Sequence, residues 1–309
     1  MDNYLILGAN GLIGRSFREQ IKGKYNWFGT CNKRCDIDLT QIDITLDDDI
    51  KRIVELSELA NPSHIINCTN LDGGVNFCEK NPVDAKNFHL DAVSWMCKLA
   101  NKQSSKLIMI STDYVFDGEN PPYKEDDQTN PLNLYGSLKL KAEKCITENV
   151  NDYLIIRTTN VFGWDPQTVT PNYMMQLYKS LNIKKEINVP SFLWGNPTYV
   201  DDLTSAIVEL CEKDMKGIFH VVGSSFINRY DWALKFCEKG DFDKSLIKKV
   251  KEIPKDMIPR PLKSNLSTDK FNAVCNTHLH DVDIGIDIFI EKMKITEESN
   301  ESKRHGFNF

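Results

Sequence analysis

No apolar run in this 309-residue sequence approaches the length of a membrane span, and the N-terminus has no charged segment leading into a hydrophobic one. A secreted or membrane-embedded protein is therefore not expected, and the cytoplasm is the expected compartment. Positive charge is not in excess. Lys and Arg number 38 against 44 Asp and Glu, a net charge of −6 with a pI near 5.6, which argues against nucleic acid as the main partner. Nine cysteines are an odd number scattered along the chain, a pattern of free thiols rather than a disulfide framework. Cys31 and Cys35 flank Asn32-Lys33-Arg34 with no second pair at zinc spacing, and His278 and His280 lie in a polar segment where they read as solvated. No metal site is expected. Internal repeats and low-complexity blocks are also missing.

What is present suffices for a full core: 41% hydrophobic and 27% charged residues are ordinary for a globular chain of this size. Through the first half, short apolar runs alternate with longer amphipathic stretches, the pattern of βαβ units and a parallel sheet. Strands are predicted at Tyr4–Leu7, Tyr25–Phe28, Gln41–Ile44, His64–Cys68, Lys106–Ile110 and Tyr153–Arg157. Helices are predicted to start near Leu12, Leu46, Pro82 and Tyr135, with Asn81 placed to cap the third. Right-handed crossovers would wind these into an α/β doubly wound parallel sheet. Beyond residue 160, Pro166, Pro171, Pro190 and Pro197 loosen the alternation. Helices are predicted at Asn172–Leu181, Asp201–Glu212 and Asp231–Glu238, and a strand at Gly217–Val222. The division implied is a dinucleotide-binding domain over residues 1–160 and a smaller lobe over 161–309, with segments near 197–222 returning to the first. The polar tail, Thr296–Phe309, is expected to be disordered.

The first strand runs directly into Gly8-Ala9-Asn10-Gly11-Leu12-Ile13-Gly14. The first glycine permits a tight turn, the second lets a pyrophosphate approach the backbone, and the third lets the helix pack close to the strand. N–H groups at the helix start then face negative charge. At the end of the second strand no acid precedes Asp36 to accept bonds from the adenosine ribose hydroxyls. Asn32, Lys33 and Arg34 stand there instead, and the two cations suit a 2′-phosphate. NADPH is the expected cofactor, with NADH the alternative. Asp43 and Ile44 are placed to contact adenine, and Asn67, Cys68 and Thr69 to border the cofactor from the fourth strand.

Tyr135 and Lys139 lie four apart at a helix start, so a phenol and an ammonium project from one face. Upstream, Leu107-Ile108-Met109-Ile110 ends in Ser111-Thr112-Asp113, which sets a hydroxyl at a strand's C-terminal end. Hydroxyl, phenol and ammonium together suit reversible proton transfer to a carbonyl oxygen.

With these residues in hand the sequence resembles the extended short-chain dehydrogenase/reductases, and within them the dTDP-4-dehydrorhamnose reductase family. The resemblance rests on Ile110-Ser111-Thr112-Asp113-Tyr114-Val115-Phe116-Asp117-Gly118, then Pro122-Tyr123-Lys124-Glu125 and Pro131-Leu132-Asn133-Leu134-Tyr135-Gly136 with Lys139. It continues through Asn196-Pro197-Thr198-Tyr199-Val200, Gly217-Ile218-Phe219-His220 and Arg260-Pro261, covering nearly the whole chain. It implies a Rossmann-type sheet with a smaller C-terminal substrate-binding lobe. It also implies a catalytic trio of Thr112, Tyr135 and Lys139. Tyr135 would protonate the sugar C4 oxygen, Lys139 would lower the phenol's pKa near the nicotinamide ribose, and Thr112 would fix the same oxygen. Substrate contacts would fall on Thr112, Asp113, Tyr114, Val115, Tyr123, Trp194 and Arg260.

Related nucleotide-sugar 4,6-dehydratases carry Thr-Asp-Glu where this chain has Thr112-Asp113-Tyr114, so keto reduction is favoured over elimination. The chain departs from the reductase pattern at Phe192-Leu193-Trp194-Gly195, where two polar groups near the sugar site are lost, and at His89, where the superfamily often has Asn. His89 reads as a packing variant. Two functions follow from the resemblance. One is NAD(P)H-dependent reduction of a nucleotide-linked 4-keto-6-deoxysugar, foremost dTDP-4-dehydro-L-rhamnose to dTDP-L-rhamnose. The other is an NADP(H)-binding regulatory subunit, because the stretch from Asp113 to Tyr123 is similar to the methionine adenosyltransferase beta subunit. The partner would be a second copy of the chain or, in the regulatory reading, another enzyme.

Overall fold

The structure is a computed structural model that describes residues 2–33, 35–168 and 170–305, with side chains described through residue 299. Seven strands form the central sheet: β1 Asn3–Leu7, β2 Asn26–Cys31, β3 Leu39–Gln41, β4 His64–Asn67, β5 Lys106–Thr112, β6 Tyr153–Thr158 and β7 Gly217–His220. Their spatial order is β7-β6-β5-β4-β1-β2-β3, and every pairing is parallel. Side chains alternate between faces, and both faces are covered. Tyr4 and Ile6 of β1 pack with Phe17, Ile66, Leu203 and Phe219 on one side. Leu5 and Leu7 pack with Ile65, Met96, Met109 and Ile146 on the other. Burial on both faces is why these strands read as continuous apolar runs. The order reverses between β1 and β4, and such a switch point opens a crevice beyond the strands' C-terminal ends.

The helix Leu12–Ile21 lies beside the helix Val200–Glu212, with the Ser16 hydroxyl bonded to Asp201 at 2.6 Å and to Thr204 at 2.7 Å. Late-sequence segments thus complete the sheet layer, since β7 pairs with β6 in register Gly217 to Leu154. A separate core gathers Phe162, Met174, Leu177, Trp232, Phe236 and Phe289. Small pairings frame this lobe: Ile187–Pro190 runs parallel to Ile247–Val250, and Trp194–Gly195 lies between Ile227–Asn228 and Lys263–Ser264. Among the described residues no helix is long and apolar enough to cross a membrane, and no group of three or more His, Cys, Asp or Glu is placed to hold a metal.

Several expectations shift. The third strand, predicted at Gln41–Ile44, occupies Leu39–Gln41, because Gly29, Thr30 and Cys31 select those partners. Asp43 then leaves the sheet and accepts from the backbone and hydroxyl of Thr45 at 2.9 and 2.6 Å. A helix over Gly74–Lys80 precedes the one opened by Pro82, and Asn81 donates its amide to the Phe77 carbonyl rather than capping. Cys31 and Cys35 form a disulfide instead of standing as free thiols, since the short loop brings their Cα atoms to 5.6 Å. His280 is not merely solvated; its Nδ1 bonds to Asp202 at 2.9 Å. The tail expected to be disordered is helical through His305, and Gly306–Phe309 lie outside the described residues.

Candidate active site

A groove of about 710 Å³ opens at the switch point, where β1, β2 and β4 end. Its floor is the glycine loop: Gly8, Asn10, Gly11, Leu12 and Ile13 all line it. Gly14 lies one layer below, and a Cβ there would fall 2.3 Å from the Gly8 carbonyl oxygen. The helix can therefore start tight against the strand only because position 14 is glycine. Gly11 precedes that helix in extended conformation, and no side chain caps the first turn. The N–H groups at the helix start are left to an anion.

Around this floor stand the remaining groove residues. Asn32 and Lys33 line the rim after β2, both exposed, while Arg34 lies outside the described residues. The Asn32 amide donates to Asp43 at 3.2 Å, and Asp43 and Ile44 line the same wall. Cys68 and Thr69 line the opposite wall. Asn67 sits behind them, buried, and its side-chain Oδ1 accepts from the Thr69 backbone at 3.1 Å and hydroxyl at 2.6 Å. It shapes the wall rather than forming it. Across the top, Thr170 is hydrogen-bonded to Asp72, and Gln167 accepts from Arg15 at 2.7 Å.

Thr112, Tyr135 and Lys139 stand beside this groove rather than in its lining. The link is a helical turn after Pro82–Lys86: Asn87 and Phe88 line the groove, while the neighbouring His89 ring meets Tyr135 edge-on at 5.3 Å. Tyr135 belongs to the helix Leu134–Asn149, which starts at Asn133, whose side chain accepts from the Gly136 N–H at 2.9 Å. Gly136 presses on the turn after β5, and a Cβ there would fall 2.2 Å from the Tyr114 carbonyl oxygen. This close approach sets the Tyr135 phenol near enough to the Thr112 hydroxyl at the end of β5 for that hydroxyl to favour its ionised form. Lys139, one turn on and buried, donates to the Ile110 carbonyl at 2.6 Å.

Burial sets the charge states here. It pushes the Tyr135 phenol above its ordinary range, with the Thr112 hydrogen bond opposing. Lys139 itself is pushed down to about 8 by burial, against the nearby Glu143 carboxylate. His89 is pushed down to about 3 by burial and by the Lys139 charge, so its imidazole is neutral at pH 7.

The residues expected to touch substrate divide into two groups. Val115 and Tyr123 are buried in a small cluster with Phe116, and Tyr123 stacks on Phe116 at 4.2 Å. Asp113 is buried too, hydrogen-bonded to Ser264, Thr159 and Thr112, and burial raises its pKa. These three hold the turn after β5 in place. Tyr114, by contrast, packs edge-on against Tyr135 at 5.7 Å, and the Arg260 guanidinium acts on its phenol to favour ionisation against the effect of burial. Arg260 also donates to Asn76 at 3.1 Å. Sequence reasoning missed Arg229, whose charge also acts on Tyr114 while its guanidinium lies over the Tyr173 ring at 4.8 Å. No local motif marks it, because only the lobe's folding delivers it. Leu193 accepts from the Arg229 N–H at 3.0 Å and Trp194 donates to the Leu262 carbonyl at 2.8 Å. The atypical Phe192–Gly195 stretch therefore lies between the segments carrying the two arginines.

A buried pair behind the trio was also not foreseen. Arg157 of β6 binds Glu143 at 2.8 Å, both nearly inaccessible, and Ser111 donates to the same carboxylate. Arg157 further donates to the Glu125 carbonyl at 3.1 Å, and the Glu125 carboxylate accepts from the His220 N–H at 2.9 Å.

Known proteins share this architecture. A Bacillus anthracis dTDP-4-dehydrorhamnose reductase solved in complex with NADP superposes with a TM-score of 0.84 at 24% identity, covering 94% of this chain and 99% of that one. The probable low-salt glycan biosynthesis reductase Agl14 of Haloferax volcanii is 31% identical over 252 residues, 78% of this chain and 81% of its own. The methionine adenosyltransferase 2 subunit beta of Bos taurus is 28% identical over 276 residues, 87% of this chain and 81% of its own. The family model for the RmlD substrate binding domain matches residues 2–295. With that match over nearly all its length, the chain belongs to the dTDP-4-dehydrorhamnose reductase family of extended short-chain dehydrogenase/reductases.

Proposed function

We propose that this chain is an NAD(P)H-dependent reductase acting on the C4 keto group of a nucleotide-linked 4-keto-6-deoxysugar, with dTDP-4-dehydro-L-rhamnose the first candidate. One observation carries the reading: the Tyr135 phenol and the Thr112 hydroxyl come together with buried Lys139 one turn away, beside a groove floored by a glycine loop. The uncapped helix start and the Gly14 contact suit a dinucleotide pyrophosphate, and the Bacillus anthracis relative holds NADP. Asn10, Gly11, Leu12 and Ile13 would cradle the phosphates, Asn32 and Lys33 the ribose end, and Asp43 and Ile44 the adenine. Bound there, NADPH supplies the hydride. Tyr135 gives its proton to the C4 oxygen, Thr112 holds that oxygen in place, and the Lys139 charge stabilises the phenolate left behind. Arg260 and Arg229 would receive the substrate's diphosphate beside Tyr114. In this division residues 1–160 serve the cofactor and 161–309 mainly the substrate, with residues 197–222 rejoining the sheet.

The test is NADPH oxidation with a panel of 4-keto sugar nucleotides. Turnover is expected with dTDP-4-dehydro-L-rhamnose or a close analogue. Binding of NADPH without turnover of any of them would falsify the reductase reading. A second reading has its own support in the similarity to methionine adenosyltransferase 2 subunit beta over 276 residues. In it the groove binds NADP(H) and the chain serves a partner enzyme. Light scattering of this chain mixed with a methionine adenosyltransferase catalytic subunit separates the two: a stable hetero-complex without sugar reduction favours the regulator.

A further inference from the structure

The loop after β2 is closed by a covalent bond. Cys31, the last residue of β2, lines the nucleotide groove and is 1% exposed, and its sulfur is joined to that of half-buried Cys35. Asn32 and Lys33 lie inside the ring so formed, and both line the groove at its rim. The other seven cysteines are free, so disulfides are not what holds this fold together. A bond that spans only four positions also removes little freedom from the unfolded chain. Its effect is local, on the shape of the rim.

Lys33 is the one cation among the described residues that line the groove. Arg15 and Arg18, close by, are engaged by Asp36 at 2.9 and 3.0 Å, and Arg18 also by Asp38 at 2.7 Å. The backbone of Lys33 is held where the ring begins: the Asn10 amide donates to its carbonyl at 2.7 Å, and the Gln41 amide to the Asn32 carbonyl at 3.0 Å. Past the ring, the next anchor is Asp36 with its two arginines. Between these anchors, among the described residues, the disulfide is the tie back to β2. A long exposed side chain delivers its charge to one place only if its backbone is fixed on both sides.

We propose that Cys31 and Cys35 form a redox-reversible site that sets cofactor choice: closed, the ring holds Lys33 at the rim for a 2′-phosphate, and opened by a dithiol it releases Lys33, so the preference for NADP(H) over NAD(H) falls. In the opening step a thiolate of the dithiol attacks the Cys35 sulfur, the S–S bond breaks, and Cys31 leaves as a thiolate. Cys35 is the point of attack because the Cys31 side is buried. The second thiol of the reductant then attacks the mixed disulfide, releasing the Cys35 thiolate and a cyclic oxidised dithiol. Two electrons pass to the protein, and the two protons of the dithiol end on Cys31 and Cys35. Binding and redox state are linked, so a ligand that prefers the closed ring also protects it from reduction. The assignment rests on the cofactor half of the proposed function and not on sugar reduction.

The test has two arms. Alkylation and mass spectrometry of the unfolded protein, after exposure to oxidised glutathione, are expected to count seven thiols, and nine once dithiothreitol has been added. Nine thiols before dithiothreitol overturn the proposal. In the second arm, calorimetry compares NADP⁺ and NAD⁺ binding to the two forms. Opening the ring should weaken NADP⁺ about three- to fivefold and leave NAD⁺ nearly unchanged. Cys35→Ser, which cannot close the ring, should behave as the reduced protein in either buffer. Lys33→Ala should bring the same loss in the oxidised protein and no further loss on reduction. Saturating NADP⁺ should lower the midpoint potential of the pair by about 15–20 mV, the same factor read from the other side. Equal NADP⁺ affinity in the two forms overturns the assignment, and so does an equal loss of NADP⁺ and NAD⁺, which is what a merely distorted groove would give. Oxidised protein that binds neither dinucleotide overturns it together with the cofactor site. If NADP⁺ binds as described and no 4-keto sugar nucleotide is reduced, only the reductase reading is lost.

Discussion

The two sides of the cleft are made of different materials. On the nucleotide side the wall is largely backbone and small residues, with Gly8, Gly11 and the uncapped helix start forming the floor. Beyond the Tyr135 side of the groove, long side chains from separate segments gather instead: Tyr114 after β5, Arg229 at a helix start, and Arg260 from a proline-rich loop. A backbone wall leaves little room to change what it fits, because Gly8 holds a positive φ and a Cβ at Gly14 would strike the Gly8 carbonyl. A side-chain wall can be rewritten one residue at a time while the scaffold stands. The trio lies where the two meet.

The contrast can be tested by breaking each side in turn. The largest effect is expected at the junction: Tyr135→Phe should lower turnover by ~10³-fold while leaving NADPH affinity within about twofold, measured by absorbance and fluorescence titration. Next comes the backbone wall. Gly14→Ala must displace the Gly8 carbonyl, and should cost about 1–3 kcal/mol in a denaturant melt together with most nucleotide binding. If Gly14→Ala binds NADPH normally, the two sides are not as different as described. On the side-chain wall, Arg260→Ala and Arg229→Ala should each raise KM for the sugar nucleotide about tenfold or more without changing NADPH affinity.

The pH profile sharpens the junction further. Lys139 titrates at about 8, below the ordinary lysine value, so it is charged below that pH and neutral above it. If the ammonium supports Tyr135, kcat should hold below about pH 8 and fall roughly tenfold per unit above it, one proton being lost. A flat profile to pH 10 would separate Lys139 from the chemistry. The smallest effect belongs to the rim, where Lys33→Ala should weaken NADPH about fivefold or less and leave NADH unchanged, because an exposed charge pair contributes little.

Much of the nucleotide side was legible in the sequence because its requirements are local. Three glycines at fixed spacing after a strand, and a Tyr and Lys one helical turn apart, each specify a shape within a few residues. The register of β3 was not legible: three residues at a sheet edge carry too short a pattern to choose between Leu39–Gln41 and Gln41–Ile44. The 31–35 disulfide was hidden because spacing alone does not say how a loop closes. Val115 and Tyr123 share a motif with Tyr114, yet a motif does not tell which of its members face inward. Arg229 left no trace, since its place beside Tyr114 depends on the whole lobe. His89 was visible as an odd residue, but only the folded helical turn shows that it meets Tyr135.

The Glu143 carboxylate has a consequence beyond its own charge pair. It ties the helix to Ser111, one residue before Thr112, while Lys139 ties the same helix to Ile110 on the other side. Helix and strand are thereby pinned twice, and neither can slide along the other without breaking a buried bond. The proposed proton-moving groups ride on one frame, and Arg229 and Arg260, proposed to read the substrate, are carried on another. Over evolutionary time the second can drift toward new ligands while the first stays tuned, which is one way a single scaffold comes to serve relatives as unlike as a sugar reductase and an enzyme's subunit.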